Sequence, residues 1–133
     1  MYIIIAGCGR IGSILAQDLA QEGHDVAVID RNIKNLNELG SGFNGMRIKG
    51  IEFDRDKLEE AGIQNADYLM AVTPSDSINI TVSLIAEKIY HVPRIIARDS
   101  APNMKKIYDR LHIETVSPTM LGVDILKQAV DAQ

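Results

Sequence analysis

The chain has 133 residues, 46% of them hydrophobic, and a formal net charge of −4 with acids and bases interspersed. That length fits one domain that buries roughly two-thirds of its unfolded surface, and the acidic balance excludes the basic footprint of a nucleic-acid binder. A single cysteine excludes a disulfide scaffold and fits a reducing compartment, and no apolar run approaches the ~20 residues that span a bilayer.

The residues alternate between strand and helix patterns. Residues 2–6 read as a buried strand, so no signal peptide is expected ahead of it, and a cytoplasmic location is the expectation. Any membrane role would then come through a partner rather than by insertion. Gly7-Cys8-Gly9-Arg10-Ile11-Gly12 follows as a turn, and a helix over about 10–22 carries the apolar stripe Ile11, Leu15 and Leu19. Gly23 ends it. A second strand over 25–30 closes on Asp30, and a short helix covers about 32–39. Gly40 to Gly45 reads as a flexible surface turn. A third strand spans 46–49. Asp54 caps a helix over 55–61 that Gly62 ends. The fourth strand, 68–72, leads through Thr73-Pro74-Ser75-Asp76 into a long helix over about 77–90. The fifth strand is 94–97. Ser100 is the expected cap of the next helix, with Pro102 in its first turn and Met104, Ile107, Tyr108 and Leu111 on its apolar face. The sixth strand runs from 112 to 116, and Ser117-Pro118 opens a last helix reaching about residue 131. Six strands with helical crossovers predict an α/β, Rossmann-like, doubly wound parallel sheet of order 3-2-1-4-5-6. A ligand is expected across the carboxyl ends of strands one and four, where the order reverses.

The glycine turn has the context of a dinucleotide fingerprint: it follows a buried strand, opens a helix, and has an acid about 20 residues on. Gly7 allows the tight turn, Gly9 lets a phosphate approach the backbone, and Gly12 lets the helix pack close to the sheet. The helix N-terminus then faces the anion. Asp30 can accept from a ribose diol and would repel a 2′-phosphate, which disfavours NADP. Arg10 sits where a cation opposes the helix dipole, a cost that a bound polyphosphate offsets. Cys8 fills the variable position of the turn as a small residue, with redox sensing the alternative. Asp76 and Asn79 fall near the expected ribose or second phosphate, and helix capping also accounts for Asp76. Arg98 and Asp99 form a surface pair or line the cleft, and the residues leave both open. The sequence contains no Tyr-x-x-x-Lys pair, no G-x-S-x-G elbow, no Walker loop and no C-x-x-C or H-E-x-x-H pattern. His24, His91 and His112 fall at the strand starts, the pole opposite the ligand. The long and last helices are apolar on more than one side, which predicts an oligomer surface.

From Ile3 through the glycine turn to Asp30, the chain is similar to the N-terminal lobe of TrkA and KTN proteins, the regulator-of-potassium-conductance (RCK) domains. The likeness continues through Leu58-Glu59-Glu60-Ala61-Gly62-Ile63, Ala71-Val72-Thr73, Asp76 with Asn79, Val92 to Arg98 and Val116-Ser117-Pro118. The resemblance implies a cytoplasmic gating subunit of a K⁺ transporter or channel, with no catalytic activity of its own. It also implies a homo-oligomeric or mixed ring, usually octameric, beneath a membrane K⁺-translocating subunit. NAD(H) or an adenine nucleotide (ATP, ADP or AMP) is the implied ligand, and the residues do not choose between them. Residues 1–133 would form one such lobe, with about 118–133 as a crossover and assembly helix. The candidate cofactor-binding set is Gly7, Cys8, Gly9, Arg10, Ile11, Gly12, Asp30, Arg31, Gly50, Thr73, Asp76 and Arg98, with no metal ligands. Within it the resemblance assigns phosphates to Gly7, Gly9, Arg10 and Gly12, the adenosine ribose to Asp30, and the second half of the cleft to Thr73 and Asp76. Two segments depart from the family pattern. Gly50-Ile51-Glu52-Phe53 replaces the usual Gly-Asp-x-Thr whose acid helps read adenine, and Thr119 replaces a common Glu after Pro118. The rival reading is the NAD-binding domain of an oxidoreductase, which needs a proton donor and a substrate segment besides.

Overall fold

The computed structural model describes residues 1–132. Six strands, β1 (Tyr2–Ala6), β2 (Asp25–Asp30), β3 (Met46–Lys49), β4 (Tyr68–Ala71), β5 (Arg94–Arg98) and β6 (Glu114–Val116), form one parallel sheet of order β3-β2-β1-β4-β5-β6. This is the order the alternation predicts. β1 and β2 are apolar almost throughout because both faces of a parallel sheet are covered. Helices α1 (Arg10–Gln21) and α2 (Ile33–Asn37) cover one face, where Ile3, Ile5, Val26 and Val28 pack with Ala16 and Leu36. Helices α3 (Arg55–Glu60), α4 (Asp76–Lys88) and α5 (Lys105–Arg110) cover the other, over Ile4, Ala27, Ile29 and Leu69. The change of face follows from right-handed crossovers once the chain returns from β3 to β4. Tyr68 and Met70 of β4 still pack against the α1-side cluster, and beyond them the same face of β5 and β6 has no covering helix among the described residues.

Several local expectations need correction. Gly40 to Gly45 is not a free surface turn: Phe43 is buried with Leu39 beneath α1 and α2, and the Arg47 guanidinium lies 5.2 Å from its ring centre. Ser100 caps no helix. A single 3₁₀ turn, Pro102–Met104, precedes α5, and Ser100 instead donates its N–H to Asp76 Oδ1 at 2.8 Å. On α4, the side facing the sheet is Asn79, Val82, Ser83 and Ala86, while Ile78, Ile80, Leu84 and Ile85 ride the flanks and Ile89 is exposed. Small residues let the helix approach the sheet, and Ile80, Leu84 and Ile85 pack against the edge of the core. α6 (Pro118–Asp131) buries none of its residues: Ile125, Leu126 and Val130 are 64%, 69% and 70% exposed.

Helix endings follow a shared device. At the end of α1, Gly23 N–H donates to Ala20 O and His24 N–H to Leu19 O, with Gly23 left-handed at φ 94°. α5 ends the same way, His112 N–H donating to Asp109 O and Ile113 N–H to Tyr108 O, but the left-handed position holds a histidine at φ 58°. An L side chain is strained there. His112→Gly is therefore expected to stabilise the domain by about 0.5–1 kcal/mol, seen as a higher urea midpoint at unchanged slope.

Candidate functional site

β1 and β4 lie side by side where the strand order reverses, and their C-terminal ends meet at Gly7 and Thr73. Gly7 has φ 108° and donates its N–H to Ile29 O at 2.8 Å. A side chain there would come within 2.9 Å of Thr73 N. Gly12 packs against the Gly7 carbonyl. Gly9 differs, since a Cβ on it would meet nothing within 4 Å. Its small size is not demanded by packing, and it leaves open space at the start of α1. No side chain caps α1, and no acid sits in its first turn. The N-termini of α2, α3, α4 and α6 are capped by Asn32, Asp54, Ser75 and Ser117. Arg10 is exposed at this uncapped end and makes no ion pair among the described residues. The free N–H groups of α1 and the Arg10 guanidinium thus offer an anion its donors.

Asp30, at the end of β2, is only 5% exposed. Its carboxylate accepts from Cys8 N–H at 2.8 Å, Asn32 N–H at 2.7 Å and the Asn35 side-chain amide at 3.2 Å. It therefore fastens the glycine turn to the second strand. A carboxylate has about four acceptor positions, and these contacts place two on each oxygen, so a ribose hydroxyl would take the place of the Asn35 amide, whose contacts are the longest. Arg31, next in sequence, pairs with Glu52, whose oxygens accept from Arg31 N at 2.8 Å, Nε at 2.9 Å and Nη2 at 2.8 Å.

Cys8 is buried, its thiol donating to Asn35 O at 3.2 Å, and burial, with the Asp30 charge adding, pushes it up to about 11. The thiolate needed for redox chemistry is thus suppressed. Native protein at pH 8 should resist a thiol reagent such as a disulfide dye, reacting at the rate of unfolding, while a denatured control reacts at once.

Across the cleft, the fully buried Asn79 accepts from Thr73 N at 3.0 Å and Thr73 Oγ1 at 2.8 Å, and donates to the Thr73 and Arg98 carbonyls at 3.0 Å each. It ties the ends of β4 and β5 together, and no polar atom of its amide faces the ligand side. Ser75, not Asp76, caps α4. Asp76 turns to the other side, accepting from Ser100 N–H and from Tyr108 Oη, both at 2.8 Å. Burial, then this bond to Asp76, drives the Tyr108 hydroxyl above its ordinary range. Asp99 is buried rather than paired at the surface with Arg98, and desolvation followed by the Asp76 charge raises its carboxyl.

The candidate residues divide accordingly. Cys8, Gly9 and Arg10 line a cavity of about 520 Å³ with Ser13 and Asn35. Asp30, Arg31 and Thr73 line an adjoining one of about 390 Å³ with Glu52, Pro74 and Ile78. Asn35 borders both. Gly7 and Gly12 shape the turn from beneath. Gly50 packs on the Lys57 side chain. Ile11 and Arg98 line a separate apolar cavity of about 220 Å³ on the uncovered sheet face, with Leu15, Met70, Ile96 and Val116. Asn35 went unrecognised in the sequence, and nothing in its surroundings there marks it. Glu52 was visible only as an acid near the place of a missing one.

The sheet order, the glycine turn opening α1 and the acid closing β2 define a Rossmann-type domain. The chain belongs to the TrkA-N domain family, whose model matches residues 3–118. It is 47% identical over 124 residues to the Trk system potassium uptake protein TrkA of Streptomyces coelicolor, covering 93% of this chain and 56% of that protein. A Trk system potassium uptake protein TrkA homolog of Pyrococcus abyssi is 40% identical over 111 residues, covering 84% of this chain and 49% of the other. The chain thus spans about half the length of these relatives. Among solved structures, the GsuK RCK domain superposes with a TM-score of 0.77 at 27% identity, over 94% of this chain and 27% of that one. The AMP-bound Kef C-terminal domain of Shewanella denitrificans gives 0.78 at 23%, over 97% and 82%. The NAD-bound GsuK channel gives 0.73 at 22%, over 86% and 21%. No helix among the described residues is long and apolar enough to cross a membrane.

Proposed function

We propose that this chain is a nucleotide-sensing regulatory domain of a K⁺ uptake transporter or channel, working at the inner face of the cell membrane without catalysis of its own. The observation that carries the reading is the uncapped N-terminus of α1, with open space at Gly9 and an Arg10 that makes no ion pair among the described residues, set beside Asp30. An NAD(H) or adenine nucleotide fits those groups. Gly9 N–H, the first turn of α1 and Arg10 would hold its phosphates, and Asp30 its ribose. Thr73 would border the second half, while Gly7 and Gly12 shape the turn. The identity to TrkA proteins supports the transport role, and the AMP-bound and NAD-bound neighbours support the ligand class.

The partner would be a membrane K⁺-translocating subunit, reached as a homo-oligomeric or mixed ring, octameric in the simplest case. Residues 118–133 would serve as the crossover and assembly segment, of which Gln133 lies outside the described residues. The bare apolar face of α6 supports that use. Gating would be a population shift, the ligand moving the ring by its difference in affinity between two states.

The test is thermal unfolding with NAD, NADH, AMP, ADP and ATP, with Gly9→Ala as the control because that position has room for a methyl group. A ligand at 100 times its dissociation constant should add about 2.7 kcal/mol to the wild type and less to the control. Absence of stabilisation by every nucleotide would overturn the reading.

A further inference from the structure

Asp30 and Arg31 send opposite signals. An acid at the end of the second strand suits a free ribose diol, whereas an arginine beside it suits a 2′-phosphate. The side-chain partners resolve the conflict. Glu52, at 2% exposure, reaches across from the segment after β3 and takes Arg31 by its backbone N–H, Nε and Nη2, at 2.8, 2.9 and 2.8 Å. Nε and Nη2 converge on one Glu52 oxygen, Oε1, while the backbone N–H takes the other, Oε2, so a single carboxylate holds both the guanidinium and the main chain of Arg31. The cleft that holds this pair also holds Asp30 and Asn32. Two carboxylates therefore face one guanidinium at the ribose end, and the guanidinium is already engaged. Asp30 is enclosed by its own donors, whereas the Arg31 side chain remains 48% exposed. Glu52 is thus the group that decides whether a cation is free at that edge.

We infer that Glu52 is a specificity-determining residue: by holding Arg31 it keeps the ribose end net negative and restricts the site to nucleotides whose adenosine 2′-hydroxyl is unphosphorylated. The inference rests on the nucleotide reading above. It moves the discrimination against NADP from Asp30 alone to a pair of residues 21 positions apart.

Calorimetric titration with AMP and with adenosine 2′,5′-bisphosphate, which differ only in the 2′-phosphate, tests it. The wild type should prefer AMP by about tenfold or more. Glu52→Gln, which keeps the shape and removes the charge, should narrow that ratio to about threefold or less by tightening the bisphosphate. Adding Arg31→Ala should restore the gap. Glu52→Ala gives a second reading should Gln disturb folding, which the unfolding midpoint reports. A ratio unchanged in both Glu52 variants, or equal losses for both nucleotides, overturns the inference while the nucleotide reading stands. Binding of neither compound by the wild type overturns both.

Discussion

Gly12→Ala is expected to cost at least about 3 kcal/mol and to leave little folded protein at 37 °C. The added Cβ would overlap the carbonyl oxygen of Gly7, come within 2.9 Å of its carbon and press on Val72 at 3.3 Å. The two Gly7 atoms cannot swing aside, because Gly7 is pinned by its own N–H to Ile29 and sits against Thr73. Relief would require α1 to lift from the sheet, which opens the core beneath Ala16. Gly9→Ala, three residues earlier, is expected to change stability by less than about 0.5 kcal/mol, its φ of −75° being open to any residue. Urea unfolding of the two variants side by side checks this. Equal stability for both would show that the turn yields more than its packing suggests.

Asp30→Ala should destabilise the free domain by about 3 kcal/mol, before any ligand is considered. Three donors, Cys8 N–H, Asn32 N–H and the Asn35 amide, lose their acceptor in a site that water scarcely reaches. The variant is therefore a poor probe of ribose recognition, since lost binding and a loosened glycine turn would arrive together. Asp30→Asn separates them in part. It keeps one acceptor oxygen and should recover about half of the lost stability. A midpoint for Asp30→Ala within error of the wild type would mean that the carboxylate serves the ligand and not the fold.

Much of the fold was legible because its determinants are local. The two apolar runs at 2–6 and 25–30 and the spacing of Gly7, Gly9 and Gly12 each state a conformational need within a few residues. What escaped was longer in range or ambiguous by one position. Ser75 and Asp76 are both good helix caps, and only the structure shows that Ser75 caps while Asp76 holds Ser100 and Tyr108. Asn79, a polar residue on an apolar helix, reads as a cleft residue until its four bonds to Thr73 and Arg98 are seen. Phe43 lies in a glycine-rich stretch whose composition hides an anchor. Glu52 and Arg31 lie 21 residues apart on different connections, and no spacing rule joins them.

The last helix bears on motion. A segment of 14 residues is marginal as an isolated helix in water, and α6 draws no burial from the domain that precedes it. Its backbone bonds should open far more often than those of α1 or α4, and its amides should exchange with deuterium within seconds in dilute solution. Any surface that covers Leu121, Ile125 and Leu126 would slow that exchange without touching the sheet. Exchange rates along 118–131 thus give a residue-level gauge of assembly, one that stays silent about the nucleotide cleft and can be followed alongside it.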